Sequence, residues 1–504
     1  MNNQIFLGID LGTSGVSIVA INQKGNYIGN TYEEYDFLIP FTGAAEQDPK
    51  TWWLAISNAT KRLLSENFIR REEVKAISFS GQMHGLIPID KKGEVVRNAI
   101  IWCDQRSQKQ VDYILEEIGE AKLGEMTGNA VDTGFMLASL LWIKDLEPGL
   151  FDKIDCVLTP KDYLRFLMTG DRGIDYSDAS GTLLFDCFNK CWSNELIKIF
   201  NLPYEIFPKV CSSTEFAGKL NNKSAFDMGL TEDVNVYYGA ADQVAQAIGN
   251  GVIESDTTSL TIGTGGQLLL PINTPILNPD LNTNMFHFYD SNTWFLMGVC
   301  LSAGLSYKWL KNNFFPNTPY KELDEMASHA KPGSDGLVFI PYLIGDRMNK
   351  DTNTRGSFLG LTINHNSSHI VRSVLEGVIF SMRQALEIFH SLHQNPKRIV
   401  ASGGGAKSKL WLQIQADILG ENIFTSETIE EAGTGAAIIA SVGYGIYPDI
   451  KSACGEIVKF SKIPIVANQE NHKAYTEIFN VYKNYYDDTK QMNHLLADFS
   501  EKCI

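Results

Sequence analysis

Apolar positions along the chain follow two periods, two residues in some stretches and three to four in others, and the switch between them marks strands and helices. Ile5 to Ile9 is an apolar run that predicts a strand ending at Asp10-Leu11-Gly12-Thr13-Ser14-Gly15, and Val16 to Ile21 predicts the next. Lys24-Gly25-Asn26 turns the chain into a third strand, which makes an antiparallel meander. Ala76 to Ser80 alternates as a strand into Gly81-Gln82-Met83-His84-Gly85, and Leu86 to Ile89 resumes beyond it. Val234 to Tyr238 predicts a strand running into Gly239-Ala240-Ala241-Asp242, followed by a helix from Gln243 to Ile248 that Gly249-Asn250-Gly251 breaks. Ser259 to Ile262, Gly263-Thr264-Gly265-Gly266 and Gln267 to Leu270 then repeat the strand, glycine turn, strand pattern of the N-terminus. Two such turns, one in each half, indicate an internal duplication with a nucleotide between the halves.

The helices announce themselves by caps and stripes. Asp48 at the N-cap and Pro49 at the first position start one helix. Pro160-Lys161-Asp162-Tyr163 opens another that runs to Met168 and stops at Gly170. Ser367 or Ser368 caps a long helix whose stripe of Val371, Val374, Leu375, Val378, Ile379, Met382 and Leu386 is core. Leu337 to Pro341 predicts a strand into Gly345-Asp346-Arg347. Arg398 to Ala401 predicts a strand into Ser402-Gly403-Gly404-Gly405-Ala406, with a helix from Lys409 to Ile418 behind it; glycine there lets a backbone approach a base or ribose. Glu431 to Ala437 opens a small-residue helix suited to close packing, and Asn471 to Leu496 predicts a terminal helix. Asp175 to Gly181 and Arg355 to Thr362 predict loops.

Composition narrows the class without choosing within it. A chain of 504 residues is long enough for two domains, and 44% hydrophobic with 20% charged residues is an ordinary globular balance. A net charge of −16 argues against nucleic acid or an anionic membrane as partner. A polyanion such as ATP would have to be held by local turns, helix ends and a metal. The eight cysteines form no Cys-x-x-Cys pair, so zinc is disfavoured and reduced thiols in a cytoplasmic protein fit best. Met1-Asn2-Asn3-Gln4 lacks the basic region of a signal peptide, and no apolar run reaches membrane-spanning length.

Candidate chemistry gathers at the glycine turns. Asp242 stands at a strand-to-helix junction, where a carboxylate serves either as helix N-cap or as general base toward a hydroxyl. The turns at Gly12–Gly15 and Gly263–Gly266 offer backbone N–H groups and hydroxyls to phosphate oxygens, although each alone could be a plain hairpin. His84 lies in a polar loop between strands, where it could read a small polyol or be an ordinary satisfied histidine. Asp104 and Arg106 form either a structural ion pair or a substrate contact.

Taken together, these motifs resemble the FGGY family of carbohydrate kinases over essentially the whole chain. The resemblance implies an α/β, two-lobed, actin-like and hexokinase-like (ribonuclease H-like) fold with mixed sheets flanked by helices in each lobe and the active site in the cleft between them. It implies a sugar-binding lobe at 1–245 and a nucleotide-binding lobe at 246–504, with the last helix a candidate to pack back on the first. Gly81-Gln82-Met83-His84-Gly85 and the stretches Pro160–Tyr163 and Asp175–Asp178 are similar to those of members acting on D-xylulose, which implies ATP-dependent formation of D-xylulose 5-phosphate. By the same resemblance Asp242 is the catalytic base, and Met83, His84, Asp242 and Gln243 contact the sugar. Asp10 is linked to Mg²⁺, and Thr13, Ser14, Thr264, Gly265, Gly304, Lys308, Gly404 and Ser408 contact ATP. A homodimer remains an open option. Three positions depart from the family pattern: Ser17 stands in place of a basic residue, Gly265-Gly266 in place of Ser-Gly, and Asp346-Arg347-Met348-Asn349 in place of Glu-Arg-x-Pro-His. The first two bear on ATP and the third on the sugar. The rivals are a sister kinase for ribulose, gluconate, glycerol or a deoxysugar, an actin-like ATPase, and a sugar-sensing pseudokinase.

Overall fold

The structure, a computed structural model, describes residues 3–502, so Met1, Asn2, Cys503 and Ile504 lie outside the described residues. The elements that build the first half are β1 (Ile5–Leu11), β2 (Gly15–Asn22), β3 (Tyr27–Glu34), α1 (Pro49–Glu66), β4 (Val74–Gly81), α2 (Pro160–Thr169), α3 (Tyr176–Ser180), β5 (Phe216–Lys219), β6 (Asn235–Tyr237) and α4 (Asp242–Gly249). The second half is built on β7 (Thr257–Ile262), β8 (Gly266–Ile272), β9 (Asn284–His287), β10 (Trp294–Cys300), α5 (Gly304–Phe314), α6 (Ser367–Ser391), β11 (Arg398–Gly403), α7 (Lys409–Leu419), β12 (Ile423–Thr425), α8 (Glu431–Gly443), α9 (Gln469–Tyr482) and α10 (Tyr485–Lys502).

Two mixed sheets repeat one topology. The first runs β5-β6-β4-β1-β2-β3, with Ala240–Ala241 extending the pairing to β4. The second runs β9-β10-β8-β7-β11-β12. In each, a hairpin closed by a glycine turn (β1–β2, β7–β8) adds a third antiparallel strand on one side. On the other side, two parallel strands follow, β4 and β6 in the first sheet and β11 and β12 in the second. The duplication read from the two turns therefore extends to five strands of each sheet, and the sixth lies at opposite edges, β5 beside β6 and β9 beside β10.

The alternation along β1 explains how that sheet is sandwiched. Ile5, Leu7, Ile9 and Leu11 point to one face, where they pack with Trp52, Ile56, Ala59 and Leu63 on one stripe of α1. Burial of each large apolar side chain there is worth about 1.5–3 kcal/mol. Phe6 belongs to the core on the other face, against Tyr444, and Gly8 and Asp10 follow it at intervals of two. A Cβ on Gly8 would collide with the carbonyl oxygen of Gly433 on α8, so the missing side chain lets a second-half helix lie on the first sheet. The same helix crosses α4, where a Cβ on Gly435 or Gly249 would strike the backbone of the facing helix. The terminal helices dock on their own half: Tyr485 bonds Ser357, while Tyr486 and His494 bond Asp351.

Several sequence expectations need correction. The stretch Asp175–Gly181 is no loop: Asp175 caps the helix α3, and Ser177, Asp178 and Ser180 are fully buried. Their polar groups meet partners on α2, a helix whose charged residues the sequence reading had not connected to them. The stretch Arg355–Thr362 contains a strand, Ser357–Leu359, paired with Val338–Ile340. Asn366 caps α6 in place of either serine. The terminal helix is two, divided at Lys483–Asn484.

Candidate active site

Asp10 sits at the end of β1, in register with Ser80 on the parallel strand β4. Ser80 donates to its Oδ1 at 2.6 Å, and no hydrogen bond reaches Oδ2 among the described residues. Burial and the negative charge of Glu430 push the Asp10 carboxyl up, against the pull of the Ser80 hydrogen bond. Asp242 is the first residue of α4, carried to the same place because Ala240 and Ala241 continue alongside Ser80 and Gly81. The N-cap is Ala241, with no side-chain cap bond, so capping is not what Asp242 does. Its Oδ1 accepts the adjacent Gln243 N–H at 2.7 Å, and the Gln243 side chain also bonds the carboxyl. Burial first, and then the Asp10 carboxylate, raise the Asp242 pKa to about 7. Two half-buried carboxylates facing one another is the arrangement that keeps a base poised near neutrality.

Of the residues expected at the sugar, Met83 and His84 meet at Gly181. Met83 is buried beneath His84, whose backbone takes a left-handed conformation at φ +68°. The His84 Nδ1 lies 2.7 Å from the Gly181 carbonyl oxygen. A carbonyl can only accept, so Nδ1 carries the proton and Nε2 is an acceptor with no protein partner among the described residues. Burial holds the imidazole pKa down at about 4, and Arg347 reinforces that, so the ring is neutral. Phe135 and Phe286 flank it at ring distances of 4.3 and 5.8 Å. Arg347, from the second half, lies over Phe135 at 5.8 Å. Asp346 beside it turns away and accepts from the Asn349 N–H and side-chain amide at 2.9 and 2.6 Å. Of the departing stretch Asp346–Asn349, Arg347 is therefore the residue near the sugar wall.

The first turn is braced from three sides. Tyr35 donates to Gly12 O at 2.7 Å, Gln47 to Thr13 O at 2.7 Å, and the Trp102 indole N–H to Thr13 Oγ1 at 2.9 Å. Sequence reasoning missed Trp102, which stays 46% exposed while making that bond. Asp104 and Arg106 prove structural: Asp104 is fully buried, accepts the Ala45 N–H at 2.6 Å, and pairs with Arg106. The second turn is joined to α5, where Gly304 N–H and Leu305 N–H donate to Gly263 O and Thr264 O at 3.0 and 2.9 Å. A Cβ on Gly304 would collide with that Gly263 oxygen. A Cβ on Gly265 would stand a tight 3.2 Å from Cys300 O. Lys308 is exposed one turn further along α5, and Gly404 is exposed in the bend after β11. Ser408 spends its hydroxyl capping α7, accepting the Trp411 N–H at 3.1 Å. Ser17, where a basic residue was expected, donates to Glu430 across the halves at 3.3 Å.

Behind Asp242 lies a cluster the sequence did not reveal. Lys161 Nζ stands 2.8 Å from Asp162, 2.6 Å from Asp175 and 3.0 Å from Asp178, all fully buried. The three carboxylates are near enough to share a cation, and the lysine ammonium already supplies one. Burial alone would push that ammonium down, and the carboxylates more than reverse it.

Two mixed sheets that share five strands of one topology, each carrying a glycine turn, with the carboxyls of Asp10 and Asp242 brought together at the first, fit a two-lobed kinase fold. The chain belongs to the FGGY family of carbohydrate kinases, whose N-terminal domain matches residues 5–249 and whose C-terminal domain matches residues 258–444. It is 36% identical over 493 residues to a xylulose kinase of Staphylococcus epidermidis, covering 98% of both chains. The fold superposes on a xylulose kinase of Brucella ovis with a TM-score of 0.90 at 32% identity, over 97% of this chain and 100% of that one. It superposes on a gluconate kinase of Lactobacillus acidophilus with a TM-score of 0.92 at 26% identity, over 97% and 98%. As a member of this family the chain is a sugar kinase that uses ATP as phosphoryl donor.

Proposed function

We propose that the chain phosphorylates D-xylulose at the expense of ATP, giving D-xylulose 5-phosphate, between a sugar-holding lobe (1–245) and a nucleotide-holding lobe (246–504). The observation that carries the chemistry is Asp242 with its pKa raised to about 7 beside Asp10. The sugar hydroxyl attacks the γ-phosphorus in line, its proton passes to Asp242, and ADP leaves. Positioning and electrostatics supply most of the rate in such transfers. Met83, His84 and Gln243 hold the sugar, with His84 Nε2 accepting a hydroxyl hydrogen. The turn N–H groups and hydroxyls at Thr13, Ser14, Thr264 and Gly265 hold the phosphates. Gly304, Lys308, Gly404 and the start of α7 at Ser408 border the remainder of the nucleotide.

Asp10 fits Mg²⁺, because its hard carboxylate has one oxygen left without a hydrogen bond at the mouth of the first turn. The ion, when bound, neutralises phosphate charge; Asp10 would hold it, directly or through water. The chemistry uses a cytoplasmic nucleotide, and the seven described cysteines are free thiols, so we place the reaction in the cytoplasm. No helix among the described residues is long and apolar enough to cross a membrane.

Similarity to xylulose kinases over nearly the full chain favours the pentulose, and the gluconate kinase of equal fold keeps a sugar acid as the second reading. Arg347 at the sugar wall is the feature that would suit a carboxylate. A coupled ADP-release assay across D-xylulose, D-ribulose, gluconate, glycerol and a no-sugar control decides. D-xylulose should give the highest kcat/KM; preference for gluconate would install the second reading, and equal turnover without sugar would overturn both.

A further inference from the structure

Helix α3 touches the site at both of its ends. At the first end, Ser177 Oγ accepts the Ala241 N–H at 2.9 Å and donates to Asp175 Oδ2. Ala241 is the residue from which Asp242 departs. At the other end, Gly181 O accepts the His84 Nδ1–H at 2.7 Å, and Ser180 Oγ accepts the His287 N–H at 3.0 Å. Between those ends the helix is gripped from below: Lys161 reaches Asp175 and Asp178 at 2.6 and 3.0 Å. Thr159 Oγ1 lies 2.6 Å from Asp162 and 3.1 Å from Asp178. Apolar residues of the same volume would fill this space as stably, since burying charge is costly even when it is paired. What a charged network adds is a preferred geometry, because Lys161 is held by three carboxylates at once, with Asp178 Oδ1 left without a hydrogen bond among the described residues.

We propose that α3 is a spacer that fixes Asp242 relative to His84, with Ser177 as a positioning residue and Lys161 as the anchor of the helix. The proposal rests on reading Asp242 as the base. A hydroxyl held by His84 must lie within hydrogen-bond reach of the Asp242 carboxylate, and a misplacement of about 1 Å is worth roughly 10²-fold in rate. Removing the Ser177 hydroxyl frees the Ala241 N–H and loosens the strand end, while the Gly181–His84 bond that orients the sugar reader stays.

The test is Ser177→Ala in the full chain, measured by single-turnover phosphoryl transfer and by steady-state KM for sugar and ATP. The expected result is a transfer rate at least about tenfold slower with both KM values within about threefold, a fraction of the loss that a full ångström would bring. A merely structural role would lower the melting temperature and leave the rate per folded molecule alone. Ser177→Cys, nearly the same shape but a poor hydrogen-bonding group, covers the case in which the alanine variant does not fold, and should be slowed likewise. Rates within threefold of the parent in the folded variant overturn the spacer. Asp242→Asn run in parallel separates the two readings. If it stays active, the base assignment falls and the spacer loses its object; if it is inactive beside a fast Ser177 variant, only the spacer falls.

Discussion

The two lobes put different residues at the same point of the same topology. In the first, β1 ends Asp10-Leu11-Gly12-Thr13, with Asp10 bonded to Ser80 on the parallel neighbour. In the second, β7 ends Thr261-Ile262-Gly263-Thr264, with Thr261 2.8 Å from Ser402 on its own parallel neighbour. The helix that follows the next parallel strand opens with an acid in both lobes, Asp242 on α4 and Glu431 on α8. In the first lobe Asp10 acts on Asp242 from a separate strand end, whereas the carboxylate that acts on Glu431 is its chain neighbour Glu430. Glu431 instead accepts from the Gly403 backbone and the Gln246 side chain, near an uncharged threonine. The shared topology thus carries an acid, Asp10, at one strand end and a threonine, Thr261, at the other. On the proposed function, charge at the first strand end raises the base Asp242, and the uncharged second strand end leaves room for a polyphosphate.

The largest effect should come from breaking the charged member of the pair. Asn caps and packs much as Asp does but cannot take a proton, so Asp242→Asn should fold normally, bind sugar in calorimetry, and lose about 10²–10⁴-fold in turnover. In the parent, the carboxyl has its pKa raised to about 7 and works only when ionised. The kcat/KM profile should accordingly fall as pH drops through about 7, tenfold per unit below it. Turnover in the Asn variant above about a tenth of normal, against that expected loss, would return Asp242 to a structural role.

Much of this was legible in the sequence because it is local. A glycine turn between two apolar runs, or an acid at the strand-to-helix junction after Gly239, needs only neighbours in the chain to be recognised. The two turns and the β1–β2–β3 meander formed as read. What stayed hidden is carried by distant pairs. Lys161 with Asp175 and Asp178, Trp102 with Thr13, and Arg347 with Phe135 join segments that no periodicity connects. The stretch Asp175–Gly181 misled for the same reason: its polar residues look solvated until α2 supplies their partners. The fully buried charge of Lys161 also shows why composition fails there, since lysine is almost never fully buried without partners.

A pair of variants sharpens the division of labour at the next level of effect. His84→Ala removes the acceptor Nε2 and should raise the sugar KM by about 5–150-fold, the equivalent of about 1–3 kcal/mol, with the ATP KM nearly unchanged. Gly304→Ala drives a methyl into the Gly263 oxygen that shapes the second turn. Displacement of that turn should raise the ATP KM by about tenfold, the cost of one hydrogen bond to a charged group, with the sugar KM kept. If both variants shift the same KM, the lobes do not divide the substrates as proposed.

The smallest effect belongs to Glu431, and its smallness is the sharpest check on the asymmetry. Glu431 occupies the place of Asp242 in the repeat, so position alone would predict a second essential acid. Its surroundings predict otherwise, because the carboxylate that acts on it is its chain neighbour Glu430 and the strand end in the place of Asp10 carries Thr261. Burial, with Glu430 beside it, pushes its carboxyl above the usual glutamate value, and hydrogen bonds from its own backbone, Gly403 and Gln246 only partly offset that. A carboxyl raised on folding is ionised at a cost, so its contribution to stability falls as pH rises from the unfolded value toward the folded one. Glu431→Gln keeps an acceptor for the Gly403 N–H and abolishes the ionisation. The variant should therefore melt higher than the parent at pH 8, and the gap should close as pH is lowered below about 4.3, where the unfolded glutamate is itself protonated. Its kcat should stay within about threefold of the parent, because a general base lost would cost at least 10²-fold. A large loss of turnover in Glu431→Gln, with melting unchanged across pH, would mean that the two lobes share the chemistry and that Thr261 does not make the second acid silent.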